Sequence, residues 1–410
     1  MGAVVKIACV GGGPAGLYFA ILMKRVNPSH EITVYERNSA GASCGWGVTY
    51  WEELFDNLRR ADPESAQAVK ESSLHWDHWA VHVHDQAAVT VNHWDEGYGI
   101  GRRQLLGILA DRARALGVRT EFEREIASED ELAGTDLIAA ADGAGSVLRG
   151  RHADHFGTEI AVGRNVYTWL GTTKIFDCFT FSFVETPHGW IWCYGYGFSE
   201  GHSTCVVECS PATWRGLELD QASEAEGLVI LEKLFADILD GHPLIGRTCE
   251  HGGAHWLNFQ TLTNRTWHRG NLVLLGDAAH TTHYSVGAGT ALALGDAAFL
   301  VNALHEDPRL ESALSRYERK RQSAIMSVQR AARYSAQWYE NLPRYAGLPP
   351  RQMVALLGRR YSQVLPHVPP RLYYRINQVA EWFEARRGST GGPEAGGPER
   401  PGRPDEIGAH

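Results

Sequence analysis

Apolar and polar positions along this chain fall into three regimes. Residues 4–10 (VVKIACV) form a short, nearly continuous apolar run, which predicts a parallel strand buried on both faces. A helix-spaced apolar segment follows from Pro14 to Val26, and 31–36 (EITVYE) predicts a second strand. The chain therefore opens on a β-turn-α-β unit. Residues 40–50 are small and Gly-rich and read as a loop, 102–116 carries helical periodicity, and 135–141 (TDLIAAA) predicts another buried strand. Over 165–210 the pattern changes to apolar/polar alternation broken by turn signals, which predicts an antiparallel sheet and a second lobe. Residues 272–276 (LVLLG) return to the parallel-strand pattern, 287–304 predicts a helix, and 309–385 is mostly helical and Arg-rich. The stretch 387–410 is Gly, Pro and charge, which predicts disorder. No internal repeat is visible.

The first turn carries chemistry. Gly11-Gly12-Gly13-Pro14-Ala15-Gly16 contains G-x-G-x-x-G between a strand and a helix, and Glu36 closes the next strand about twenty residues on. In such a turn Gly11 permits the tight bend, Gly13 lets the backbone approach a pyrophosphate, and Gly16 lets helix and strand pack closely. The positive helix end faces the phosphates, and Glu36 can accept from a ribose hydroxyl pair. This motif points to a dinucleotide without choosing between FAD and NAD. Two more segments narrow the choice: Asp-Gly-Ala-Gly-Ser-Val-Leu-Arg at 142–149, and a late strand that delivers Gly276-Asp277 and then the glycines Gly287 and Gly289. Asp277 at a strand's carboxyl end can bind polyol hydroxyls. The helix opened by Gly287, Ala288 and Gly289 can lie against a flat ring and favour negative charge there.

Composition changes this picture little. With 410 residues and 44% hydrophobic residues the chain can form two lobes, and a net charge of −9 gives no basic field for nucleic acid or an anionic membrane. No apolar run reaches the roughly 18–20 residues of a membrane span. Seven scattered Cys without a C-x-x-C, and an opening without signal-peptide features, lead us to expect a cytoplasmic protein. His75, His78, His82 and His84 cluster, but no Cys or carboxylate set completes a metal site, so none is expected.

The three motifs together resemble the group A FAD-dependent aromatic hydroxylases, whose type is para-hydroxybenzoate hydroxylase. That family combines an N-terminal G-x-G-x-x-G, a central D-G-x-x-S-x-x-R and a late G-D-A-A-H. The segments CGWGVTYWEELFDNLRRADPES and WLGTTKIFDCFTFSF resemble a narrower branch, that of salicylyl-CoA 5-hydroxylase and 2-aminobenzoyl-CoA monooxygenase, which also takes in indole hydroxylases. The resemblance implies an α/β fold: a Rossmann-like FAD-binding domain (1–72, 98–160 and 266–330), an inserted antiparallel β-sheet substrate domain (73–97 and 161–265), and C-terminal helices (331–386). It implies FAD, with NADH or NADPH as transient donor and O2 adding at flavin C4a before oxygen reaches an electron-rich ring. The substrate would be a small aromatic ring, free or as a CoA or carrier-protein thioester, and the protein a monomer or homodimer. An indole- or tryptophan-derived substrate, a flavin halogenase and an FAD dehydrogenase are the alternatives.

Carried over residue by residue, the resemblance assigns FAD contacts to Gly11, Gly13, Pro14, Ala15, Gly16, Glu36, Arg37, Val48, Arg102, Asp142, Gly143, Gly276, Asp277, Gly287, Ala288 and Gly289. The chain departs from the family type at His283-Tyr284, where that type has two prolines, and at Gly45-Trp46, where it has a mobile arginine. His283 and Tyr284 are candidate catalytic residues, a His there being able to relay a proton or simply to hold the loop. Trp46, Tyr50, Trp192 and Tyr194 are candidate substrate contacts, with core packing as the plainer alternative. The basic residues between Arg316 and Arg333 could meet a CoA phosphate or an acidic carrier protein, or form a solvated helix face.

Overall fold

The computed structural model describes residues 4–388 apart from 44, 85 and 247–255, together with no side chain at 93–95 or 381–388. Of the stretch 387–410 expected to be disordered, the first two residues end the helix Pro370–Gly388, and 389–410 lie outside the described residues.

Two sheets organise the chain. The first has the strand order His268–Arg269, Leu272–Leu274, Leu137–Ala140, Lys6–Val10, Glu31–Tyr35, Arg119–Glu121, parallel throughout except for the antiparallel first strand. Its central strands Leu272–Leu274, Leu137–Ala140 and Lys6–Val10 are buried almost throughout, and the core they share with the helices Pro14–Val26 and Gly289–Glu306 is continuous. The helix Pro14–Val26 starts with Pro at its first position and ends with Lys24 and Arg25, which suits the dipole.

The second sheet is larger, with nine strands running from Leu244–Ile245 through Glu159–Thr172, Ser203–Cys209, Gly189–Gly197, Phe179–Thr186, Leu74–Val83 and Val89–Gly101 to Gly47–Trp51, and Leu257–Thr263 also pairing with Glu159–Thr172. It is antiparallel, as the alternation predicted, with one exception: Leu74–Val83 runs parallel to Phe179–Thr186. The alternation is also not apolar/polar in space. Trp192, Tyr194, Tyr196 and Val206 pack on one face with Trp338, Tyr339 and Met353 of the C-terminal helices. Ile191, Cys193, Cys205 and Val207 pack on the other with Leu231, Phe235 and Ile238. The strand Ser203–Cys209 is accordingly buried at every position.

Two expectations need correction. Residues 47–51 are not loop: Gly47–Trp51 is the sheet's edge strand, held by main-chain pairing to Gly97–Gly101. The boundary drawn at 97/98 falls inside the strand Val89–Gly101, so the two lobes share a strand there. The helix expected over 287–304 runs Gly289–Glu306, and the Arg-rich region contains the 31-residue helix Leu310–Glu340.

Candidate active site

A cleft of about 2440 Å³ runs between the two sheets and under the C-terminal helices. One end is built by the first sheet's turns. The Gly11 N–H donates to the Tyr35 carbonyl at 2.8 Å. At Gly11, with φ of 111°, an added Cβ would lie 2.3 Å from the Ala141 carbonyl oxygen, and one on Gly16 would lie 2.2 Å from that of Gly11. These two glycines serve chain packing and are not on the cleft wall. Gly13 differs: a Cβ there meets nothing within 4 Å, and Gly13, Pro14 and Ala15 face the cleft. Glu36 stands behind them. One carboxylate oxygen accepts from the Gly12 N–H at 2.8 Å and the other from the Asn38 backbone and side chain at 2.8 and 2.7 Å. Of its roughly four acceptor positions one is left for a ligand hydroxyl. Arg37 is exposed beyond the strand end and off the wall.

The second and third motifs meet across this groove. Arg149, buried, donates to the carbonyls of Ala144 and Ala278, tying the 142–149 turn to the late motif. Ser146 caps the short helix Val147–Arg151, and one Asp142 oxygen accepts the Val147 N–H at 2.9 Å. The other Asp142 oxygen is buried without a partner among the described residues, and desolvation raises the carboxyl's pKa. Gly143 faces the cleft. The strand Leu272–Leu274 delivers Gly276, which is buried against Ala15 and Ala293, and Asp277, which opens onto the cleft and takes no hydrogen bond from the described residues. The surrounding protein raises the pKa of Asp277 against the pull of His280 and Arg102. Beneath lies a buried network. Asp296 accepts from the Gly276 N–H at 3.1 Å, His280 Nε2 at 2.8 Å and Arg321 Nε at 2.7 Å. Burial alone would raise the Asp296 pKa, but Arg321 and His280 outweigh it and hold the carboxyl below its ordinary value. Val48, Arg102, Gly287, Ala288 and Gly289 complete this end of the wall.

The other end is aromatic. Tyr167, Phe179, Phe181, Tyr194, Tyr196 and Tyr284 line it. Tyr284 packs on Tyr167 at 4.5 Å between ring centroids and donates its hydroxyl to Glu208 at 2.6 Å. Glu208 is 1% exposed, and its second oxygen accepts from Asn165 Nδ2 at 2.8 Å. Burial pushes the Glu208 carboxyl up from 4.5 to about 7, with the Tyr284 and Asn165 bonds opposing and Glu340 adding to the rise. The Tyr194 hydroxyl is buried without a hydrogen-bond partner among the described residues.

Of the candidate ring contacts only Tyr194 is on the wall. Trp46 packs outward, stacked on His202 at 6.2 Å and covering Gly171. Tyr50 is 1% exposed, stacked on Tyr98 at 5.7 Å with its hydroxyl against Ser73. Trp192 stacks on Tyr339, which stands between it and the cleft. His283 faces away from the cleft, into a separate pocket of about 170 Å³. Its Nδ1 accepts from the Ser285 N–H and contacts the Ser285 hydroxyl, capping the turn Tyr284–Val286, and burial lowers its pKa to about 3. It holds the loop that presents Tyr284 and is neutral at physiological pH. Glu208 escaped the sequence reading, although an acid inside the apolar run CVVEC was a visible signal. Asp296 and Arg321 gave no such signal, being ordinary charges in helical segments.

Comparison with known proteins agrees with this geometry. A family model described as FAD binding domain matches residues 4–332. Salicyloyl-CoA 5-hydroxylase of a Streptomyces species is 38% identical over 353 residues, 83% of this chain; the chain spans 66% of that relative's length. The 3-hydroxy-4-methyl-anthranilyl-(aryl-carrier protein) 5-monooxygenase of Streptosporangium sibiricum is 36% identical over 88% of this chain and 95% of its own. Among solved structures, the tetrameric form of 2-methyl-3-hydroxypyridine-5-carboxylic acid oxygenase shares the fold with a TM-score of 0.66 and 21% identity, covering 84% of this chain and 94% of that one.

Proposed function

This chain belongs to the FAD binding domain family and is an FAD-dependent aromatic monooxygenase, and from that premise we propose that it hydroxylates a salicylate- or anthranilate-type ring carried as a thioester. The observation that carries the reading is the Tyr284–Glu208 pair, which sets a buried, near-neutral carboxyl behind a hydroxyl on the wall of an aromatic chamber.

The residues present fit FAD. An added Cβ at Gly13, Gly143 or Gly289 meets open space, so the groove floor is bare backbone where a pyrophosphate and a ring would pass. Asp277 offers unclaimed acceptors to a polyol, and the buried, unpartnered Asp142 oxygen calls for a donor. FAD reduced by NADH or NADPH supplies, with O2, the activated oxygen. The rest is the work of this chain. Pro14, Ala15, Val48 and Arg102 bound the groove, and the chamber rings exclude water and align the reacting carbon. A ring hydroxyl passes its proton to the Tyr284 oxygen as Tyr284 passes its own to Glu208, leaving a more electron-rich phenolate and a neutral carboxyl; a ring amine, electron-rich already, only hydrogen-bonds to the Tyr284 oxygen. The relay needs the carboxylate form, so activity rises with pH through about 7. A cytoplasmic location is part of the reading, supported by five buried, unbridged cysteines.

Stopped-flow NAD(P)H oxidation in air, across free acids, CoA thioesters and indoles, tests it. The expected result is ring-stimulated oxidation and a product heavier by one oxygen atom, greatest with a thioester. Oxidation that no ring stimulates, or a product without added oxygen, overturns it; a preference for indoles moves the substrate class.

A further inference from the structure

The lining of the cleft, about 2440 Å³ in volume, continues past its two described ends. The remaining wall comes from the helices Leu310–Glu340 and Pro350–Gly358 and the turn after them, which contribute Arg330, Arg351, Arg359 and Arg360. Among the described residues the whole cleft wall carries a single carboxylate, Asp277, and it belongs to the opposite end. Arg330 and Arg351 are exposed and pair with no carboxylate among the described residues. Arg360 is buried, but its guanidinium meets only uncharged groups: the Ser335 hydroxyl, the Leu357 and Ser285 carbonyls and Tyr361. Its charge is therefore not cancelled locally. Tyr334 lines the arm among these cations, and the Arg360 guanidinium lies over the Tyr361 ring at 4.3 Å.

An arm lined by several arginines, without acids and with aromatic faces, has the chemistry of a nucleotide polyphosphate site. We infer that this arm binds the phosphoadenosine diphosphate of a coenzyme A thioester, while the pantetheine chain threads from there to the aromatic chamber. The inference rests on the thioester reading above and deepens it. It favours coenzyme A over a carrier protein because Arg330, Arg351, Arg359 and Arg360 share the lining of one continuous cleft with the aromatic chamber, which suits a flexible nucleotide handle.

The test uses the flavin-loaded enzyme and two probes, coenzyme A and pantetheine, titrated by calorimetry. Coenzyme A is expected to bind about tenfold or more tightly than pantetheine, the gap narrowing as salt is raised. The double variant Arg330→Gln/Arg351→Gln should lose most of that gap while keeping its flavin absorbance; both residues are exposed, so folding is not at issue. Equal binding of the two probes overturns the inference, as does a gap that the double variant leaves intact. A variant whose KM for NAD(P)H rises while coenzyme A binding is unchanged would assign the arm to the nicotinamide donor instead. Turnover confined to a carrier-bound ring, with no coenzyme A binding, would also overturn it. Coenzyme A binding that is tight, salt-sensitive and arginine-dependent upholds the arm even if no ring is oxygenated, an outcome that would sink the monooxygenation of a thioester separately.

Discussion

The two ends of the cleft are built from different materials. At the groove, backbone does the shaping: Gly13, Gly143 and Gly289 leave space, and the side chains that matter either tie loops together, as Arg149 does, or stand open, as Asp277 does. At the chamber, side chains do everything, and Tyr284, Tyr194 and Glu208 come from three separate elements. A surface made of backbone tolerates little substitution: a side chain at Gly13, Gly143 or Gly289 would fill the open space of the groove, and one at Gly11 or Gly16 behind it would strike a carbonyl. A surface made of side chains can change its substrate while the fold stays, which is how one family serves several rings.

That contrast can be broken in steps of falling size. Arg321→Met should be the most damaging change, since it strands the Asp296 charge in the core beneath the groove; a loss of about 3–5 kcal/mol is expected by denaturant titration. An undiminished unfolding midpoint would mean that the network is not what supports Gly276. Asp277→Ala should fold but purify largely colourless, read from flavin absorbance per protein; a fully yellow variant contradicts the role given to this carboxylate. Tyr284→Phe should keep its flavin and lose about 10²-fold in ring-dependent product formation; unchanged turnover removes the relay.

The pH behaviour sharpens the chamber side. The folded pKa of Glu208 is raised to about 7, so its protonated form is favoured in the fold. The associated stability is complete below about 4.5 and is lost as pH rises through about 7, on the order of 3 kcal/mol in all. Glu208→Gln should flatten that slope between pH 5 and 8, and parallel slopes for the two proteins would show the carboxyl to be solvated. Smallest of all, Tyr50→Phe should leave KM for the ring within about twofold, because its hydroxyl meets only Ser73.

The groove was legible in the sequence because its physics is local. A strand, a tight turn and a helix must follow one another at short spacing, and only glycine fits where Gly11 and Gly16 meet carbonyls. The chamber was not legible, because it is assembled across strands whose register no short motif encodes. Trp192, Tyr194 and Tyr196 share one face of the sheet, yet no spacing says that Tyr339 covers Trp192 and leaves Tyr194 open. His283 and Tyr284 are adjacent in sequence and their rings pack at 4.2 Å between centroids, yet Tyr284 lines the cleft and His283 the smaller pocket behind it. The same limit hid the pairing of Glu208 with Tyr284 and the length of the arginine-lined arm.

Leu74–Val83 lies parallel to Phe179–Thr186, so the large sheet is joined across a chain separation that local hairpins cannot bridge. During synthesis the first half of this sheet must therefore wait, with an edge unpaired, for a strand made roughly a hundred residues later, and ribosomes add about 5–20 residues per second. The groove waits longer still, until Asp277 and Gly289 emerge. Non-local pairing of this kind folds slowly and exposes its edges meanwhile. Flavin can bind only the finished arrangement, so its supply during growth sets how much of the newly made protein is captured in the folded state.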